Sequence, residues 1–249
     1  VKPIETGQEM ATLANRSAEL RRRLSSLASQ EKAAQLMRYF KTGPGQYGEG
    51  DRFLGVMVPQ TRRVAREFRE LPLPEVLELL RSPWHEERLC ALLLLVHRVE
   101  RGDADAREEI FHAYLRSTAH INNWDLVDLS APRIVGAFLR DRSRAPLYRL
   151  ARSKRLWERR IAILATAHFI ARSDFADALA LSERLLEDEH DLMHKAVGWM
   201  LREVGKRDVS VLEAFLEAHQ TRMPRTALRY AIERFPEAKR RRVLRGAAG

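Results

Sequence analysis

Side chains able to do chemistry come closest together in the stretch Asn122-Asn123-Trp124-Asp125-Leu126-Val127-Asp128. Asn123 is a good helix N-cap, and Asp125 falls in the first turn, where the helix dipole favours negative charge. Asp128 follows Trp124 by four residues, which sets a carboxylate and an indole on one helix face. Read alone, Asp128 is one more acid complementing the dipole, and Trp124 a core residue. Two further places carry the same ambiguity. Arg160 follows Trp157 in Leu156-Trp157-Glu-Arg-Arg160, and Trp199 follows Gly198 in the run from Lys195 to Glu203. Core packing is the ordinary explanation of a lone tryptophan, and a solvated or salt-bridged face that of a lone arginine.

Other chemistries find less support. Cys90 is the only cysteine, so neither an intramolecular disulfide nor a thiolate zinc cage can form, and its leucine-rich surroundings read as a buried structural thiol. His190 and His194 are four apart, but neither His168 nor a helix-borne glutamate motif completes a metal set, and no metal or organic cofactor is assigned. The glycine-rich segment 41–51, Lys-Thr-Gly-Pro-Gly-Gln-Tyr-Gly-Glu-Gly-Asp, lacks the lysine and hydroxyl that follow the last glycine of a phosphate loop. Glu49 and Asp51 would also oppose a phosphate, so this segment reads as a structured surface loop.

Almost every segment longer than about ten residues has helical spacing, and none alternates as a strand would. In Trp157 to Ile170, for example, Trp157, Ile161, Leu164 and Phe169 share one broad face. Pro72, Pro74, Pro83, Gly102, Pro146, Pro224 and Pro236 fall between the periodic segments. The chain is therefore expected to be all-α, with about twelve to fourteen helices. A layout also recurs at Trp84, Trp124, Trp157, Leu192 and, loosely, Met223: a large apolar residue, two or three polar ones, then a helix of small apolar residues. Starts about 30 to 40 residues apart suit paired-helix repeats, which stack because one pair cannot bury its own apolar face. Residues 1–249 are accordingly read as one solenoid with a concave surface, on which Trp124, Asp128, Arg160 and Trp199 would converge. A net charge of +10 suits a polyanion on that surface. The basic end, 236–249, includes the run Lys239-Arg-Arg-Arg-Val-Leu-Arg245, read as a solvated helix terminus rather than a phosphate contact. No run of about 18 uncharged apolar residues is present and Val1 to Thr6 has no apolar export core, so a soluble cytoplasmic protein, nucleoid-associated when bound to DNA, is expected.

The segment from Tyr39 to Pro59, the Asn-Asn-Trp-Asp-Leu-Val-Asp segment, Leu156 to Arg160 and Lys195 to Glu203 resemble, in this order, the AlkD-like DNA alkylation repair proteins, over roughly residues 30 to 235. The resemblance implies an all-α, right-handed superhelix of HEAT-like repeats holding double-stranded DNA in its concave groove. It further implies a monomeric DNA glycosylase of base excision repair, without cofactor. Such an enzyme removes cationic N3- and N7-alkylated purines, 3-methyladenine and 7-methylguanine among them, without flipping the base into a pocket. By the same resemblance Asp128 matches the catalytic aspartate, Trp124 and Trp199 the aromatic pair flanking the lesion, and Arg160 an arginine near the DNA backbone. Arg202, Lys206, Lys195 and Arg159 match basic residues that meet phosphates.

That chemistry makes physical sense. A cationic purine leaves without a general acid, the deoxyribose becomes oxocarbenium-like, and a carboxylate near C1′ stabilises the charge and orients water. Two other readings remain open at this level: a noncatalytic relative binding damaged or branched DNA, and a helical-repeat adaptor for protein partners. The catalytic reading requires that Asp128, Trp124 and Trp199 are not all buried.

Overall fold

The computed structural model describes residues 16–246; the N-terminal segment and the last three residues of the basic end lie outside them. Among the described residues the regular structure is helical, apart from one isolated parallel bridge between Arg52 and Trp84. The chain divides between Ser130 and Ala131 into two compact units.

In the first unit, α1 (Arg16–Ser25), α2 (Gln30–Tyr39), α3 (Val58–Glu67), α4 (Leu73–Leu80), α5 (His85–Arg101) and α6 (Ala104–Arg116) precede a 3-10 turn (Thr118–His120) and α7 (Trp124–Ala131). The long helix α5 is the core of this unit, packed against α3, α4 and α6. Leu89, Leu92, Leu94 and Leu95 are fully or almost fully buried, each contributing about 1.5–3 kcal/mol of burial free energy. Glu86 and Glu87 in its first turn, and Arg98 and Arg101 in its last, complement the dipole before Gly102 ends it. Cys90 is buried within it, and burial pushes the thiol up to about 12, so it is held as an inert thiol.

The second unit begins in helical backbone. Pro132 has no N–H to donate, and the chain from Pro132 to Gly136 widens into a π turn before α8 (Ala137–Leu139). Then come α9 (Ala145–Leu150), α10 (Leu156–Ala165), α11 (Ala167–Ile170), α12 (Ala176–Arg184), α13 (Asp191–Arg207), α14 (Val209–His219), α15 (Arg225–Ala231) and α16 (Glu237–Gly246). Here α13 is central, packed on α10, α12, α14 and α15. The Nδ1 of His190 accepts from the Leu192 N–H as its N-cap. Each residue that opens the recurring layout sits within two residues of a helix start: Trp84 before α5, Trp124 in α7, Trp157 in α10, Leu192 in α13 and Met223 before α15.

α13 and α15 approach closely because Gly198 has no side chain. A Cβ there would lie 2.3 Å from the Ala227 carbonyl oxygen and 2.6 Å from the Tyr230 Cβ. Gly198→Ala is expected to cost about 1–3 kcal/mol by overpacking, read as a lowered urea midpoint at unchanged slope.

Candidate nucleic-acid interface and catalytic pair

The helix α7 begins at a built N-terminus. Asn123 is fully buried; its carbonyl accepts from Val127 N–H and its side-chain oxygen from Trp124 N–H at 2.9 Å. This fixes the start of a helix on which Trp124 and Asp128 stand one turn apart, both partly exposed. The indole of Trp124 stacks on Phe40, centroids 5.1 Å apart at 25°, and meets Tyr39 edge-on at 5.9 Å. Phe40 in turn stacks on Phe53 at 5.1 Å, so Trp124 closes an aromatic column rooted in the core. Tyr39 beside it is 63% exposed.

Below Asp128, Ser130 donates to the Leu126 carbonyl at 2.6 Å, which leaves its oxygen to accept from the Tyr114 hydroxyl at 2.8 Å. Burial first, then the negative charge of Asp128, hold that phenol well above its usual range. A neutral Tyr114 thus lies within the field of the Asp128 carboxylate.

The strongest electrostatic feature of the first unit lies behind α7. His85, the first residue of α5, presents Nδ1 to Asp51 and Nε2 to Asp125, each at 2.8 Å. Asp51 also accepts from Arg88 and, at 3.4 Å, from the Asn123 amide. Next in sequence, Glu86 accepts from the backbone N–H groups of Leu54, Gly55 and Val56 at 2.8–3.1 Å, and Glu87 from Arg21 at 3.2 Å. His85, Glu86, Glu87 and Arg88 are all buried. Burial opposes ionisation of Asp51, but the bond from His85 and the charge of Arg88 outweigh it and hold the carboxyl below its ordinary range. Burial likewise works against a charged His85, yet Asp125 and Asp51 raise it to about 9.

Sequence reading assigned Asp51 to a structured surface loop. The structure places it 6% exposed at the base of that loop. The loop itself is folded: Gly43 N–H donates to the Gln46 side chain at 3.0 Å, Gly45 N–H to Glu49 at 2.9 Å, and Gly48 N–H to the Lys41 carbonyl at 3.1 Å. Those amides are spent internally, which argues against a phosphate cradle. The usable signal for the buried cluster was the run His-Glu-Glu-Arg opening a helix whose middle, Leu89 to Val96, is apolar on every side. A helix buried all round buries its first turn too, and four charged residues there must find partners.

In the second unit, Trp199 is partly exposed on α13 and donates from Nε1 to Glu203 at 3.1 Å. Glu203 also takes Lys206, at 2.7 Å, and lies 3.5 Å from Arg202, whose guanidinium also pairs with Glu233. Trp199, Arg202 and Lys206 therefore form one patch. Lys195 pairs with Asp191 one turn earlier at 2.7 Å. Arg160 is buried and donates to the Leu192 carbonyl at 2.6 Å, tying α10 to the start of α13. Arg159 holds Asp188 with two nitrogens, at 2.6 and 3.2 Å, and the carbonyls of Ser153 and Lys154 with a third. Sequence reading set these arginines among those facing DNA; both are engaged in holding the fold. At the basic end, Lys239 pairs with Glu213 and Arg241 with Glu237, while Arg240, Arg242 and Arg245 are exposed.

Burial first, then the charges of Arg172, Arg140 and Arg144, depress His168 to about 4. Among the described residues no group of three or more His, Cys, Asp or Glu side chains is arranged to hold a metal ion, and no helix is long and apolar enough to cross a membrane.

The model of a family described as DNA alkylation repair enzyme matches residues 20–235. A solved structure of a predicted DNA alkylation repair enzyme from Enterococcus faecalis superposes with a TM-score of 0.66 at 17% identity, covering 84% of this chain and 97% of that one. At that identity the likeness establishes the all-helical repeat fold. No curated protein matches the chain.

Proposed function

The chain belongs to the DNA alkylation repair enzyme family, and from that premise we propose that it is a DNA glycosylase, acting as a monomer on duplex DNA to release purines made cationic by alkylation at N3 or N7. The observation that carries this reading is the pair on α7: a carboxylate and a core-anchored indole, one helical turn apart and both reachable from solvent.

In this reading Asp128 is the catalytic residue. An N3- or N7-alkylated purine departs as a neutral base when its glycosidic bond breaks, so positive charge moves from the base to the sugar. Asp128 stabilises that oxocarbenium-like sugar and orients the water that attacks C1′. The face of Trp124 adds about 0.5–2 kcal/mol for nearby positive charge. In the second unit Trp199 offers another aromatic face. Arg202, Lys206 and Lys195 exchange their carboxylate partners for phosphates, while Arg160 and Arg159 brace the helix that carries Trp199.

The reading is tested by comparing a 7-methylguanine with an uncharged adduct at the same site of one duplex. Free base is expected from the first and not from the second; equal release from both would remove leaving-group charge from the mechanism. Binding provides a second check. Lys206→Ala is expected to reduce the slope of log affinity against log salt by about one while leaving sequence preference unchanged.

A further inference from the structure

His85 stands between two carboxylates and no solvent. Its Nδ1 lies 2.8 Å from Asp51, at the end of the glycine-rich loop, and its Nε2 lies 2.8 Å from Asp125, in the first turn of α7. A neutral imidazole has one N–H and would turn its lone pair on one of these anions, so the two short contacts together require the imidazolium. The ring also stacks on Phe53, centroids 4.4 Å apart at 20°, and tilts over Phe40 at 5.1 Å. Those rings accept a cation on their faces. Phe40 is the residue on which Trp124 stacks.

The local charges balance: two anions, Asp51 and Asp125, against two cations, His85 and Arg88. On α5 itself, Glu86 is committed to three backbone amides and Glu87 to Arg21, while Phe40, the residue that follows α2, is uncharged. The backbone N–H of His85 donates to the Arg52 carbonyl at 2.8 Å, fixing the ring's base to the same loop.

We infer that His85 is a positioning residue for the reaction proposed above: clamped as an imidazolium between Asp51 and Asp125, it holds the first turn of α7, and with it Trp124 and Asp128, against the glycine-rich loop. The loop's part in the enzyme is then to supply the buried anion that makes this clamp possible. Loss of the His85 proton leaves a buried cluster with one excess negative charge and a lone pair facing a carboxylate, and α7 loses its anchor. The two carboxylates raise His85 to about 9 against burial, so the clamp is closed at neutral pH and opens as pH rises through that value. This inference rests on the glycosylase reading for its rate, and on the structure alone for the movement of α7.

The test therefore has two readouts on the full chain. The first is the single-turnover rate of base release at saturating protein, from pH 6 to pH 10, corrected for spontaneous release. The second is the indole N–H resonance of Trp124 in the free protein over the same range. Wild type should show a rate falling with a midpoint near 9 and a resonance moving with that midpoint. His85→Gln should be about 10- to 100-fold slower at pH 7 with DNA affinity retained, and should lose both pH dependences. Asp125→Asn, which keeps His85, should lower the midpoint; it serves as the variant if His85→Gln does not fold.

A resonance that titrates in a wild type releasing no base would sink the glycosylase reading and leave the clamp standing. An active wild type in which rate and resonance both stay flat through pH 9, or in which His85→Gln keeps the wild-type rate, overturns the clamp.

Discussion

Asp128→Asn is expected to slow base release by about 100- to 1,000-fold, the usual loss when one preorganised electrostatic partner of a transition state is removed. Asparagine keeps the size of the side chain and its place on α7, one turn from Trp124. What it lacks is the charge that opposes the developing oxocarbenium. The effect should fall on the chemical step, because the departing base is cationic before it meets the enzyme and needs no proton from the protein. Binding should persist or tighten slightly, since the substitution removes a negative charge from a chain carrying +10. Single-turnover rates at saturating protein, with affinity measured separately by fluorescence anisotropy, separate the two effects. Comparable losses in rate and affinity would instead assign Asp128 to binding.

The second large effect concerns stability. Asp51→Ala is expected to destabilise the protein by about 3–5 kcal/mol, because it strands the buried cations His85 and Arg88. Urea unfolding followed by circular dichroism reads this directly. The same cluster sets the pH window of stability. The folded carboxyl of Asp51 lies below its ordinary 3.8, so its contribution is present above that value and is lost as pH falls through the lower folded one. His85 is raised from 6.5 to about 9, so its contribution is complete below 6.5 and is lost as pH rises through 9. The contribution of the cluster, read as the difference in urea midpoint between wild type and Asp51→Ala, should be flat between about pH 4 and 6.5 and decline on either side, while His168, depressed from 6.5 to about 4, lowers the midpoint of both proteins as pH falls through that window. The decline above 6.5 should be absent from Asp51→Ala if Asp125 alone cannot hold the imidazolium. A change below about 1 kcal/mol would mean that the cluster contributes little beyond satisfying its own polar groups.

The helices were legible because their signals are local. Apolar spacing marks α5, α10 and α13, and prolines stand at or just before helix starts, as Pro72 does for α4 and Pro224 for α15. Pro132 was the exception: it sits within helical backbone, which accommodates the missing donor by widening into a π turn. The pairing of Trp124 with Asp128 was legible for the same reason, since four residues make one turn wherever a helix forms.

Partners distant in sequence were not. Asp51 pairs with His85 and Arg88 across more than thirty positions, and its glycine-rich neighbours suggested a surface loop. Arg159 and Arg202 matched phosphate-contacting residues by resemblance, but Asp188, just ahead of α13, and Glu233, just after α15, face them. Net charge records how many cations there are and nothing about which are neutralised in the fold. Arg160 could be placed beside Trp157 from the sequence, whereas its burial against the Leu192 carbonyl depends on how α10 meets α13.

The most direct measurement is the time course of free 3-methyladenine and 7-methylguanine released from methylated duplex DNA by the intact protein, with DNA binding confirmed in the same buffer. Both bases should be released well above the spontaneous rate, leaving abasic sites and an uncut backbone. A folded protein that binds the duplex and releases neither base would contradict the glycosylase reading and leave a DNA-binding member of the family without glycosylase activity.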